Sequence, residues 1–184
     1  WNEVLTFPQF DPTLGTLTSI MITLDGEVTG DASYESLDAQ PATITLDLAA
    51  DIVLSLPDTT PLLMVSAVGS VIENASAFDG TIDFAGTSGN ALTGLGGMDS
   101  DTTSIGPLAD FIGVGDVMLP VAATGDSSGS GAGNLITLFA TQAGAVGTIV
   151  YTFTPPSVPE PAAMLLIGVG LIGLAGFGRR MRKR

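Results

Sequence analysis

The chain has no cysteine and no histidine, and all five of its lysines and arginines lie in the last six positions, so residues 1–178 carry no cationic side chain. Without Cys or His there are no disulfides, no thiolate or imidazole metal sites, and no Ser-His-Asp or Cys-His catalysis. Without Lys in the body, Schiff-base and Ser-Lys chemistry have no residue to use. A body with no cation repels phosphate backbones and releases no counterions from them, which excludes nucleic acid as a partner. Aromatics are few, with one Trp in 184 residues, so broad stacking platforms for sugar or bases are lacking. The chain opens at Trp1-Asn2-Glu3 without the basic, apolar and small-residue succession of a signal peptide.

Acid is abundant. Eighteen of the nineteen Asp and Glu residues precede Val158. This balance favours cations, neutral sugars or basic surfaces as partners. A hydrophobic content of 45% over 184 residues is ample for one packed domain and a short appendage.

Apolar and polar residues alternate with period two in Thr16–Leu24, Ala42–Leu48 and Asp51–Leu56, which puts one dry face on each segment. Asp25-Gly26 and Pro57-Asp58 supply turn chemistry between these runs. Longer apolar strands are expected at Leu62–Ile72, Asn134–Thr141 and Gly147–Phe153, and one helical turn at Leu108–Ile112. The glycine-rich stretches Gly86–Gly97 and Gly125–Asn134 read as mobile loops. Phe7, Phe10 and Trp1 read as an apolar anchor for the first strand. The expected fold is all-β, an antiparallel, jelly-roll-like β-sandwich over residues 1–154.

The carboxyl tail has a different composition. Residues 155–161, Pro155-Pro156-Ser157-Val158-Pro159-Glu160-Pro161, hold four prolines in seven positions, which favours a stiff extended linker. Residues 162–178 follow with no charge, and as a helix they would span about 26 Å, inside the range for a membrane crossing. The basic cluster Arg179, Arg180, Arg182, Lys183 and Arg184 then sets the topology, with the carboxyl end cytoplasmic and the acidic body outside.

This succession resembles the PEP-CTERM sorting signal of Gram-negative bacteria, in which Pro-Glu-Pro precedes a transmembrane helix and an Arg-rich terminus. The resemblance implies recognition of Val158, Pro159, Glu160 and Pro161 by an exosortase, a membrane transpeptidase. It further implies a transient stay in the inner membrane and transfer of the body to the cell surface or extracellular matrix. The segments Phe7–Leu17, Phe78–Gly89 and Tyr151–Pro156 resemble the choice-of-anchor E domain, an exported β-rich group of unknown function.

Asp79 with Asp83, and Asp99 with Asp101, stand close enough in sequence to share a structural Ca²⁺ with oxygen ligands; solvated turn aspartates are the alternative. No other cofactor is expected, and Asn74-Ala75-Ser76 is a formal glycosylation sequon. The expected role is a non-enzymatic surface or matrix protein that acts by adhesion or scaffolding, through exopolysaccharide or self-association. A secreted carbohydrate-binding module or a carboxylate-based glycoside hydrolase is the alternative, the latter requiring two acids at a defined separation in one cleft.

Overall fold

The computed structural model of the protein describes residues 1–156, 167 and 169–171. The chain divides into two compact units, Trp1–Thr154 and Pro155–Arg184. The first unit holds β1 (Asn2–Pro8), β2 (Thr16–Ser36), β3 (Ala42–Ser55), β4 (Pro61–Ala75), β5 (Gly89–Ile105), β6 (Asp116–Gly125), β7 (Ser128–Ser130) and β8 (Leu135–Thr154). Short 3-10 turns occupy Pro12–Leu14 and Ala109–Phe111, the second inside the segment expected to turn helically.

Strict alternation produces the two faces. In β3, Ile44, Leu46, Leu48, Ala50, Ile52 and Leu54 are all buried and the residues between them point outward. β2 does the same through Ile20, Ile22, Leu24, Val28, Ala32 and Tyr34. All strand pairings are antiparallel. One sheet has the order β1-β6-β3-β4 with β7 also paired to β3, and the other has the order β5-β2-β8. The consecutive strands β2 and β3 sit in different sheets and pair with β5 and β6, which are likewise divided. The chain therefore crosses between the two sheets repeatedly.

The antiparallel sandwich matches expectation, but the jelly-roll-like detail does not. The sheets are unequal, five strands against three, and β3 and β4 lie side by side as a hairpin within one of them. Two strand boundaries also differ from the sequence pattern. Asp25-Gly26 is no turn, because β2 runs through it and pairs on both sides, Gly26 with Asp99 and with Ala145. Glycine is needed there for a close approach, since a Cβ on Gly26 would lie 2.5 Å from Val65 Cγ2 and 2.9 Å from Ile52 Cδ1. Most of Gly86–Gly97 is likewise strand β5 rather than loop. A Cβ on Gly97 would overlap the Val68 carbonyl, and one on Gly69 would overlap that of Gly96.

These glycines let the edge strands β4 and β5, from opposite sheets, touch along one side of the sandwich. The Ser66 N–H there donates to Asp99 Oδ2 at 2.9 Å, capping an edge amide that has no strand partner. Along the other side β1 faces β8. The Tyr151 hydroxyl donates to the Pro8 carbonyl at 2.9 Å, and Trp1 Nε1 donates to the Ala143 carbonyl at 3.1 Å. Between the sheets the core runs in three clusters: a large one around Phe10, Ile20, Leu54, Phe111 and Leu119; a thin middle of Val28, Leu48, Ala50 and Ala67; and a third around Tyr34, Ile44, Leu46 and Ala75.

In the second unit Ile167 and Val169–Leu171 are helical. Among the described residues no helix is long and apolar enough to cross a membrane. The expected span over residues 162–178 falls mostly outside the described residues.

Candidate functional site

The four aspartates singled out as calcium candidates form two separate groups. Asp79 and Asp83 lie in the loop between β4 and β5, where they fold that loop on itself. Asp79 Oδ1 accepts from the Thr81 N–H at 3.0 Å, its Oδ2 from the Thr87 N–H at 3.4 Å, and Asp83 Oδ1 from the Ala85 N–H at 3.0 Å. Asp99 and Asp101 stand on β5, where Asp99 bonds Ser66 across the edge and Asp101 Oδ1 accepts from the Thr102 N–H. Among the described residues no three acidic side chains are grouped to hold a metal ion.

The loop between β4 and β5 is anchored by a residue that the sequence pattern did not single out. Glu35, near the end of β2, is fully buried. Its Oε1 accepts from the Ser88 hydroxyl at 2.6 Å and its Oε2 from the Phe84 N–H at 2.8 Å. Phe84 takes a φ of 55°, a left-handed conformation unfavourable for an aromatic residue, and the bond to Glu35 holds it there. Backbone bonds from Ser76 N–H to the Thr87 carbonyl and from Ser36 N–H to the Ser88 carbonyl close the loop at both ends. Ser36 Oγ is buried beside them with no hydrogen-bond partner among the described residues.

Under this loop opens a polar cleft of about 540 Å³, between the ends of β4 and β5, with Tyr34, Glu73, Asn74, Phe84, Thr87 and Asn90 on its walls. Its size is that of a small-molecule site. Tyr34 is 2% exposed, and its hydroxyl makes no hydrogen bond among the described residues. Burial pushes its phenol above the ordinary value of 10.0, and the nearby Glu73 and Glu35 push it further. Glu73 occupies a position in phase with Leu63, Val65, Ala67 and Ala75, so the strand turns it inward. Its one partner among the described residues is Asn90 Nδ2, at 3.4 Å. An acid in phase with an apolar face is the signal that sequence alone offered for this cleft.

A second groove, of about 610 Å³, lies on the outer face of the three-stranded sheet, where Asp25 and Glu27 of β2 stand beside Met98, Gly144 and Val146. Asp25 Oδ1 already accepts from the Ser100 hydroxyl at 2.6 Å.

The sorting residues Val158, Pro159, Glu160 and Pro161 and the cluster Arg179, Arg180, Arg182, Lys183 and Arg184 lie outside the described residues. Their sequence decides the matter. Residues 157–183 match the PEP-CTERM protein-sorting motif. The motif supports processing by an exosortase, a membrane protein, and export through the membrane to the cell surface. No curated protein matches the sequence. Among solved structures, one of infectious bursal disease virus, Gx strain, is 13% identical over 92% of this chain and 47% of its own, with a TM-score of 0.15. One of the Gt strain is 15% identical over 96% and 49%, with a TM-score of 0.12. The chain spans about half the length of these structures, and such scores carry no argument about fold or function.

Proposed function

We propose that this chain is a precursor whose PEP-CTERM tail is read by an exosortase, and that the delivered product is a non-enzymatic structural or adhesive component of the cell surface or extracellular matrix. The match of residues 157–183 to the sorting motif carries the proposal. In it, Val158–Pro161 are the recognition residues, residues 162–178 a transient membrane helix, and the basic cluster the cytoplasmic end. The body belongs with the choice-of-anchor E-like exported domains through Phe7–Leu17, Phe78–Gly89 and Tyr151–Pro156.

A surface role is supported by a body in which many acids, such as Asp25, Asp47, Asp51 and Asp99, are held in hydrogen bonds, and which carries no His, Lys, Arg or Cys for catalysis. The cleft beside Tyr34 has one carboxylate on its walls, whereas glycoside hydrolysis needs two. Should the protein hydrolyse glycans after all, Asp25 and Glu27 of the outer groove are the pair to test; release of reducing ends that Glu27→Gln abolishes would replace the proposal.

Replacing Pro159-Glu160-Pro161 by three alanines tests the sorting step. Cell fractionation should find the variant retained unprocessed in the inner membrane. Normal release to the surface would refute recognition through these residues.

A further inference from the structure

We propose that the cleft beneath the 76–88 loop binds an amino sugar, a saccharide unit bearing a free primary amine, with Glu73 taking the ammonium group and Tyr34 and Asn90 taking ring hydroxyls. This adds a ligand to the surface role above and does not depend on the sorting step, because it concerns side chains of the first unit alone.

Four observations support the assignment. The Tyr34 hydroxyl lines the cleft on a side chain 2% exposed and has no partner among the described residues. Ser36 Oγ is the one buried side-chain polar atom without a partner among the described residues, so the Tyr34 hydroxyl keeps some accessible surface and is open to a ligand hydroxyl. Glu73 is turned inward, no cationic side chain lies among the described residues, and its one bond there is a long one to an amide. A carboxylate bonds an ammonium more strongly than a neutral hydroxyl, because the bond is charge-assisted on both sides. Asn90, paired beside Tyr34, brings an amide that both donates and accepts, the combination that reads hydroxyl groups, whereas Asn74 is turned to the outer face and accepts from Thr43 Oγ1. Finally, Phe84 is half-buried on the cleft wall and is fixed in an unfavourable backbone conformation by Glu35, which pre-organises an apolar face for a sugar ring. Phosphorylated, sulfated or uronic-acid sugars are disfavoured by the Glu73 carboxylate.

Calorimetric titration of the purified full chain with a glucosamine oligomer tests the assignment, with the N-acetylated oligomer, a neutral glucose oligomer and a lysine-rich peptide as comparison ligands. The glucosamine oligomer should bind, and acetylation of its amine should weaken binding about tenfold or more. Glu73→Gln should weaken it by a similar factor. Tyr34→Phe, which keeps the ring and should melt like the native chain, should weaken it severalfold. Asp116→Asn removes one charge at the opposite end of the sandwich and should leave binding unchanged.

Absence of binding, equal binding of the acetylated or neutral oligomers, or indifference to both cleft variants would overturn the proposal. So would an equal loss in Asp116→Asn, which would mean diffuse attraction to an acidic surface. Tighter, Glu73-dependent binding of the lysine peptide would make the cleft a peptide site and overturn the sugar assignment.

Discussion

At one end of the sandwich the space between the sheets is closed by Phe10, Leu54, Phe111 and Leu119, and at the other by Tyr34, Glu35, Ser36 and Ser88. The same two sheets make both ends. The first is dry, with the Phe10 ring tilted against those of Phe153 and Tyr151 at centroid distances of 5.1 Å and 5.9 Å, and none of the three buried polar residues lies there. The second contains all three, a loop tied to a buried acid, and a cleft. Apolar packing secures the first end against unfolding, while hydrogen bonds specify the shape of the second. A shaped polar cavity is what recognition needs and what stability alone would fill with aliphatic carbon.

Substitutions can break this contrast. Phe111→Ala should cost about 3–5 kcal/mol in urea denaturation, because the ring is fully buried among large neighbours and its removal leaves a cavity. Glu35→Gln should cost about 1–3 kcal/mol, since the amide can keep one of the bonds to Ser88 and Phe84 but sets a donor against the other. Proteolysis in the 76–88 loop should rise in that variant while the dry end stays protected. Equal exposure of both ends would mean the two behave as one cooperative whole.

The first end was far more legible in the sequence than the second. Period-two alternation in Ala42–Leu48 and Asp51–Leu56 announced the buried face of β3, although not that the two runs are one strand. Glycine was misread at Asp25-Gly26 and through Gly86–Gly97, because a glycine that opens a turn and a glycine that lets two backbones touch look alike in one dimension. Only the partners Val65, Val68 and Ile52 tell them apart. The cleft gathers Tyr34, Glu73 and Asn90 from three strands, and each is unremarkable in its own segment. Glu35 gave no warning, since its role rests on Ser88 and Phe84, some fifty positions away. The tail was legible because its three parts are contiguous.

Titration sharpens the contrast least. Tyr34 at the polar end and Tyr151 at the dry end both have phenols raised by burial, and at Tyr34 the neighbouring acids add to it. A raised value favours the protonated phenol in the fold, so this contribution is whole below about pH 10 and is lost as the pH climbs past it. Denaturation midpoints should fall above about pH 10, less so in Tyr34→Phe. Asp11 and Asp58 sit in exposed turns, held below the ordinary value of 3.8 by the Thr13 and Thr60 N–H groups. Their small contribution is present above about pH 4 and disappears as acid titrates them.

The most direct test of the account is the mature carboxyl terminus of the protein recovered from the cell surface, read by mass spectrometry. Sorting through the tail predicts a product that retains the sandwich through Thr154 and lacks the basic residues 179–184. A surface product that still ends at Arg184 would contradict it.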